Sequence, residues 1–132
     1  LVVYLMIKNM KKIVYLLLPV ILVGCYNQER NCEDFQTGTF LFEQEIEGVK
    51  HSSTFVRSKE FEIETYQGKT DTSIIRWVNE CEYILQKKHP KNMAEKKAVH
   101  MKILSTNSDG YTFEYNIVGD ANKQKGEIKK IK

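Results

Sequence analysis

The sequence predicts an all-β fold, an antiparallel up-and-down meander of about eight short strands. Three observations predict it. From residue 37 almost to the end of the chain, apolar and polar residues mostly alternate with a period of two. Turn-forming residues at Gly48, Gly68, Asn107 to Gly110 and Gly119-Asp120 interrupt this alternation at short intervals. No helical segment of crossover length separates the runs, so neighbouring strands run antiparallel. Such a meander hides its edges by closing into a small barrel, or by curving strongly as an open sheet.

The first strand, TGTFLFEQEI, sets Phe40 and Phe42 on one face. After Gly48, SSTFVRS opposes Phe55 and Arg57 to Thr54 and Val56. EFEIETYQ alternates most regularly. Its apolar face of Phe61, Ile63 and Thr65 is expected inward, and its row of Glu60, Glu62 and Glu64 is expected in solvent. GKTD, from Gly68 to Asp71, reads as a turn. TSIIRWV and CEYILQ are two β-rich runs around Asn79-Glu80, either a tight hairpin or one long strand. KKHPKNMAEKKA is the one stretch with helical character. Pro90 and the Ala94 to Lys97 run allow a turn or two, too short and polar for a core helix. VHMKILST turns Val99, Met101 and Ile103 inward and His100 toward water. YTFEYNIV places Tyr111, Phe113, Tyr115 and Ile117 together, and GEIKKI closes the set.

The N-terminal region is of a different kind. The apolar run from Ile13 to Gly24 is preceded by Lys8, Lys11 and Lys12. It is shorter than the ~20 residues a spanning helix needs, and its order of charge then apolar residues is that of a helical signal peptide. Residues 1–24 are therefore expected to be a leader, 25–36 a polar tether and 37–132 a single domain. Three of the 20 Lys+Arg lie in the leader, leaving 17 against 17 Asp+Glu. The basic excess belongs to the leader and gives no ground for a nucleic-acid partner.

Leu22-Val23-Gly24-Cys25 resembles the lipobox of bacterial lipoproteins. The resemblance implies cleavage between Gly24 and Cys25 and lipidation of the Cys25 thiol. Acyl chains at ~0.8 kcal/mol per buried methylene would hold the protein on a membrane. Tyr26 stands where an inner-membrane retention signal would carry aspartate, which favours the outer membrane of a cell envelope. Cys32 and Cys81 remain. In an exported protein they are expected to pair, tying the start of the domain to its middle, with two separate buried thiols as the alternative.

Chemistry-bearing constellations are sparse. His51, His89 and His100 are dispersed and lie at no metal-ligand spacing, so neither metal nor cofactor is expected. There is no Gly-x-Ser-x-Gly elbow and no phosphate-cradling glycine loop. Phe40, Phe42, Trp77, Tyr83, Phe113 and Tyr115 fall on inward positions and are candidates to line a pocket for a small apolar ligand. A filled or nearly filled interior is the more favoured expectation for so small a barrel.

Gly38-Thr39-Phe40 resembles the Gly-x-Trp opening of lipocalin-like barrels, with Phe in place of Trp. DFQTGTF, TSIIRWVNECEYIL and PKNMAEKK together resemble a group of small Bacteroidetes-type lipoproteins, the Trp77 to Tyr83 segment being the most recognisable part. Members of that group sometimes carry a DNA topoisomerase IV label. This chain is far too short for that enzyme and has no ATP site. The resemblance implies an envelope lipoprotein and brings no catalytic residues with it. The function expected is a non-enzymatic, lipid-anchored β domain that binds an envelope protein or a small apolar ligand. The alternative is a small hydrolase or isomerase using the acidic row or a histidine.

Overall fold

A computed structural model describes residues 30–132. The expected leader and the Gly24/Cys25 lipidation site lie outside the described residues. Eight antiparallel strands follow one another in chain order: β1 (Gly38–Ile46), β2 (Val49–Arg57), β3 (Phe61–Tyr66), β4 (Lys69–Asn79), β5 (Glu82–Lys87), β6 (Val99–Thr106), β7 (Gly110–Ile117) and β8 (Gln124–Lys130). Each pairs with the next, and β8 pairs with β1, so the sheet is a closed barrel. The closing seam is short, with Phe40, Leu41 and Phe42 opposite Lys130, Lys129 and Ile128. Closure gives every strand a neighbour on both sides, so no strand is left as a free sheet edge along its whole length.

Local chemistry sets the turns. Glu47-Gly48 and Gln67-Gly68 both take positive φ at both positions. That twist matches the flanking strands and gives two-residue hairpins. The second of these lies one residue earlier than GKTD suggests, since Lys69 to Asp71 already belong to β4. The β4–β5 connection is a hairpin, but Asn79 pairs with Glu82, so Glu80-Cys81 forms its tip. Asn107 Oδ1 accepts from the backbone N–H groups of Asp109 (2.8 Å) and Gly110 (2.9 Å), fixing the β6–β7 turn. At Gly110 a Cβ would fall 2.0 Å from the Ile128 carbonyl oxygen, so only glycine lets β7 approach β8 there. The expected helical turns between β5 and β6 do not form. Residues 88–98 are bends and turns, held by Glu95 accepting from Lys91 N–H and by Asn92 accepting from Glu95 N–H.

Strands alternate in direction, so the loops gather at two ends. One end carries the β2–β3, β4–β5 and β6–β7 connections. The other carries Glu47-Gly48, Gln67-Gly68, residues 88–98 and residues 118–123. Both ends of the described chain reach the first of these. Asn31 N–H donates to Thr106 Oγ1 (2.9 Å), and Lys132 C=O accepts from Thr39 N–H (2.8 Å). Residues 30–36, read from sequence as tether, pack there. Cys32 and Phe35 are buried, and a single 3-10 turn over Glu33–Phe35 lays Phe35 across the barrel end. The Cys32–Cys81 disulfide fastens this plug to the tip of the β4–β5 hairpin.

The one strand whose faces are reversed from expectation is β3. Phe61 and Ile63 are exposed on the barrel exterior, while Glu62 is buried. The cause lies in the neighbouring strand, where Arg57 is inward and stands directly across from Glu62. Turning Phe61 and Ile63 inward would leave Arg57 buried without its counter-charge, a penalty of about 3–5 kcal/mol. The exposed pair loses less. Both remain more than half covered, with Phe61 opposite Ile74 and Ile63 opposite Val56 on the outer surface, out of ~1.5–3 kcal/mol each for full burial.

Candidate ligand-binding site

The barrel interior divides into a packed end and an open end. At the packed end Arg57 is the hub, with 2 % of its surface exposed. Its Nε donates to Glu62 Oε2 (2.9 Å), Nη1 to the Phe35 carbonyl (2.9 Å), and Nη2 to the hydroxyls of Tyr83 (2.7 Å) and Tyr111 (2.9 Å). The guanidinium also lies over the rings of Tyr83 (4.7 Å) and Phe40 (4.8 Å). Burial pulls the Arg57 pKa down, but the Tyr83 and Tyr111 oxygens and Glu62 more than offset it, and the net shift is upward. Burial pushes both tyrosines up as well, so at neutral pH they are uncharged acceptors for a fixed cation. Phe40 stacks on Phe55, and Ile75, Met101, Ile103 and Ile128 complete the core.

Beyond this layer the interior is not filled. A cavity of about 500 Å³ opens toward the end that carries residues 88–98. Its walls include Phe42, Phe55, Leu85, Val99, Met101, Phe113, Tyr115 and Ile128, with Arg57 and Glu62 at the inner limit. Gly126 makes room for two of these rings, since a Cβ there would lie 2.7 Å from Phe113 and 3.3 Å from Phe42. The expectation of a filled interior therefore holds only for half of the barrel. Of the residues offered by the sequence as ligand-lining, Phe42, Phe113 and Tyr115 line the cavity. Phe40 and Tyr83 are fully buried in the packed end, and Trp77 leans on Tyr83 with ring centroids 4.6 Å apart. Trp77 Nε1 is buried and takes no partner among the described residues.

The mouth is charged. Lys87 Nζ bonds Asp71 (2.7 Å) and Glu95 (3.3 Å), joining β4 and β5 to the 88–98 segment that overhangs the cavity. Hydrogen bonding to Lys87 holds Asp71 below the usual carboxylate range. Glu64 lies two residues along β3 from Glu62 and shares its inward face. It is exposed at the mouth, among the described residues nothing donates a hydrogen bond to it, and partial desolvation followed by the charge of Glu62 raises its pKa. Of the acidic row, Glu62 is buried and Glu64 borders the cavity while exposed at its mouth, whereas Glu60 stays in solvent as expected. A smaller recess of about 240 Å³ adjoins the mouth through Phe42, Ser53 and Glu64, and there His51 Nδ1 meets the Tyr66 hydroxyl at 2.8 Å. No histidine is hydrogen-bonded to Glu62 or Glu64 among the described residues, His100 instead pairing with Glu82 at 3.1 Å.

Sequence reasoning passed over Arg57 and Lys87 as site residues, and offered Glu62 and Glu64 only within the acidic row of the alternative hydrolase or isomerase. The signal for Arg57 was present in its two-residue spacing from Phe55, which puts it on the inward face. Among the described residues no group of three His, Cys, Asp or Glu is disposed to hold a metal ion. Comparison with protein-family models, curated proteins and solved structures returned no match. The fold and cavity geometry define an eight-stranded barrel, closed at one end and hollow at the other.

Proposed function

We propose that this chain is a non-enzymatic, lipid-anchored envelope protein whose barrel takes up a small apolar ligand. The observation that carries this reading is the cavity of about 500 Å³. It falls within the ~300–1,000 Å³ range of small-molecule sites and has their composition, apolar walls with a few polar groups at fixed places. Two features support the envelope setting. The Lys-rich apolar leader ends at Leu22-Val23-Gly24-Cys25, and the Cys32–Cys81 disulfide suits an oxidising compartment.

Binding of a fluorescent apolar probe such as N-phenyl-1-naphthylamine tests the cavity. Ser73 faces it from β4, between Glu62 on β3 and Lys87 on β5. Ser73→Phe should cut probe affinity at least tenfold with the fold intact by circular dichroism. Equal binding by the variant would remove the cavity as the site. Metabolic labelling with an acyl analogue tests the anchor, and Cys25→Ser should abolish both the label and membrane retention.

A further inference from the structure

The polar groups around the cavity discriminate among head groups, given that the cavity binds an apolar chain as proposed above. A ligand carboxylate would look for Arg57, the deepest cation. Four of its five N–H donors are already taken, by Glu62, Phe35, Tyr83 and Tyr111. The counter-charge position is occupied by Glu62 itself, whose side chain is 10 % exposed. Lys87 is likewise held between Asp71 and Glu95. Lys97 is the remaining cation on the lining, and it sits out on the exposed 88–98 segment.

The acceptors are in the opposite condition. Glu62 spends only Oε2 on Arg57. No described residue donates to Oε1, and that oxygen is not sealed off, since among the described residues only Trp77 Nε1 is both buried and unpartnered. A nine-tenths buried carboxylate therefore keeps an open oxygen at the inner limit of the cavity. Glu64 stands one step nearer the mouth on the same face of β3, exposed and without a donor among the described residues. Counted around the lining, Glu62, Glu64, Asp71 and Glu95 outnumber Arg57, Lys87 and Lys97. Apolar walls sharpen this preference, because a charge brought beside them interacts at a lower effective dielectric than in water.

We propose that the cavity selects an amphiphile with a cationic head, a long-chain ammonium compound, whose nitrogen donates to Glu64 and to the open oxygen of Glu62 while its alkyl chain lies along Phe42, Met101 and Phe113. A fatty acid of the same length is rejected by the same two carboxylates. The selection acts by repulsion of the anion as much as by attraction of the cation.

The test is calorimetric titration of the purified full chain at neutral pH with three probes of one chain length, below their micelle concentrations: dodecylammonium, dodecanol and dodecanoate. Affinity should fall in that order, with dodecylammonium at least tenfold ahead of dodecanoate. Glu64→Gln should narrow the ammonium-over-alcohol preference about fivefold, in keeping with a partly exposed ion pair. Dodecanoate binding as tightly as dodecylammonium would overturn the proposal and point to Lys97 as the reader of the head group. An unchanged preference in Glu64→Gln would overturn it as well. Failure of dodecanol together with both charged probes would instead sink the apolar-ligand reading on which the proposal rests.

Discussion

The two halves of the barrel use charge in opposite ways. At the packed end one cation is sealed among rings, hydroxyls and a single carboxylate, and almost every donor is spoken for. At the open end Lys87, Asp71 and Glu95 form an ion pair network in contact with water, while Glu64 keeps its acceptors unused. The first arrangement fixes strand register and seals the barrel. The second leaves groups available to a visitor. A fold of eight similar strands thus divides into a packed half and a hollow half that differ in the placement of a few polar side chains.

The comparison is most exposed to failure at Arg57. Arg57→Leu leaves Glu62 buried without its partner and should cost about 3–5 kcal/mol in urea unfolding. Adding Glu62→Leu should restore at least half of that loss, since replacing both members of a buried pair by apolar groups is often close to neutral. A loss under ~1 kcal/mol in Arg57→Leu would show that the packed end does not depend on its charge. Second in size is the plug. Replacing Cys32 and Cys81 together by Ala should lower stability by about 2–4 kcal/mol, read as a drop in the urea midpoint that reductant reproduces in the native chain.

The third comparison is read as a difference, smaller than the plug's effect, between two aromatic neighbours on β1. Phe40 is fully buried at the packed end, and Phe40→Ala should cost about 3–5 kcal/mol. Phe42 lines the cavity, where truncation enlarges a space that already exists, so Phe42→Ala should cost less than half as much. Equal losses would erase the distinction between the halves. The smallest effect belongs to the mouth. Asp71 and Lys87 are both more than a third exposed, so Asp71→Asn should cost less than ~1 kcal/mol and less still in high salt. Asp71 is held below its ordinary pKa by Lys87. Its contribution is therefore present above the unfolded value of ~3.9 and disappears as pH falls through the folded one. Native and Asp71→Asn proteins should converge in stability in acid, and a gap that widened there would refute the assignment.

Strand number, antiparallel order and the turns at Gly48 and Asn107 to Gly110 were legible in the sequence, because each is written in a local pattern of alternation and turn residues. The faces of β3 were not. Phe61-Glu62-Ile63-Glu64 states that two faces exist, and residue polarity alone assigns them wrongly. The deciding term was a cross-strand one, the requirement of buried Arg57 for a carboxylate directly opposite on the next strand. The same reversal hides the site, since Glu62 and Glu64, two members of the acidic row, border the cavity. The 88–98 segment was misread for a related reason. Its Ala, Glu and Lys favour a helix locally, but Glu95 is committed to Lys87 and to the backbone of Lys91. The cavity itself follows from strand geometry and from Gly126, neither of which leaves a periodic mark.

The chain enters the barrel through Asn31 and leaves it through Lys132 at the same sealed end, beside Thr106 and Thr39. In the proposed lipidated form the anchor is therefore attached opposite to the mouth. The barrel would stand on its sealed base with its opening turned to the aqueous side. Cargo would arrive and depart through water or by hand-over from another protein, without passing directly out of the bilayer to which the base is moored.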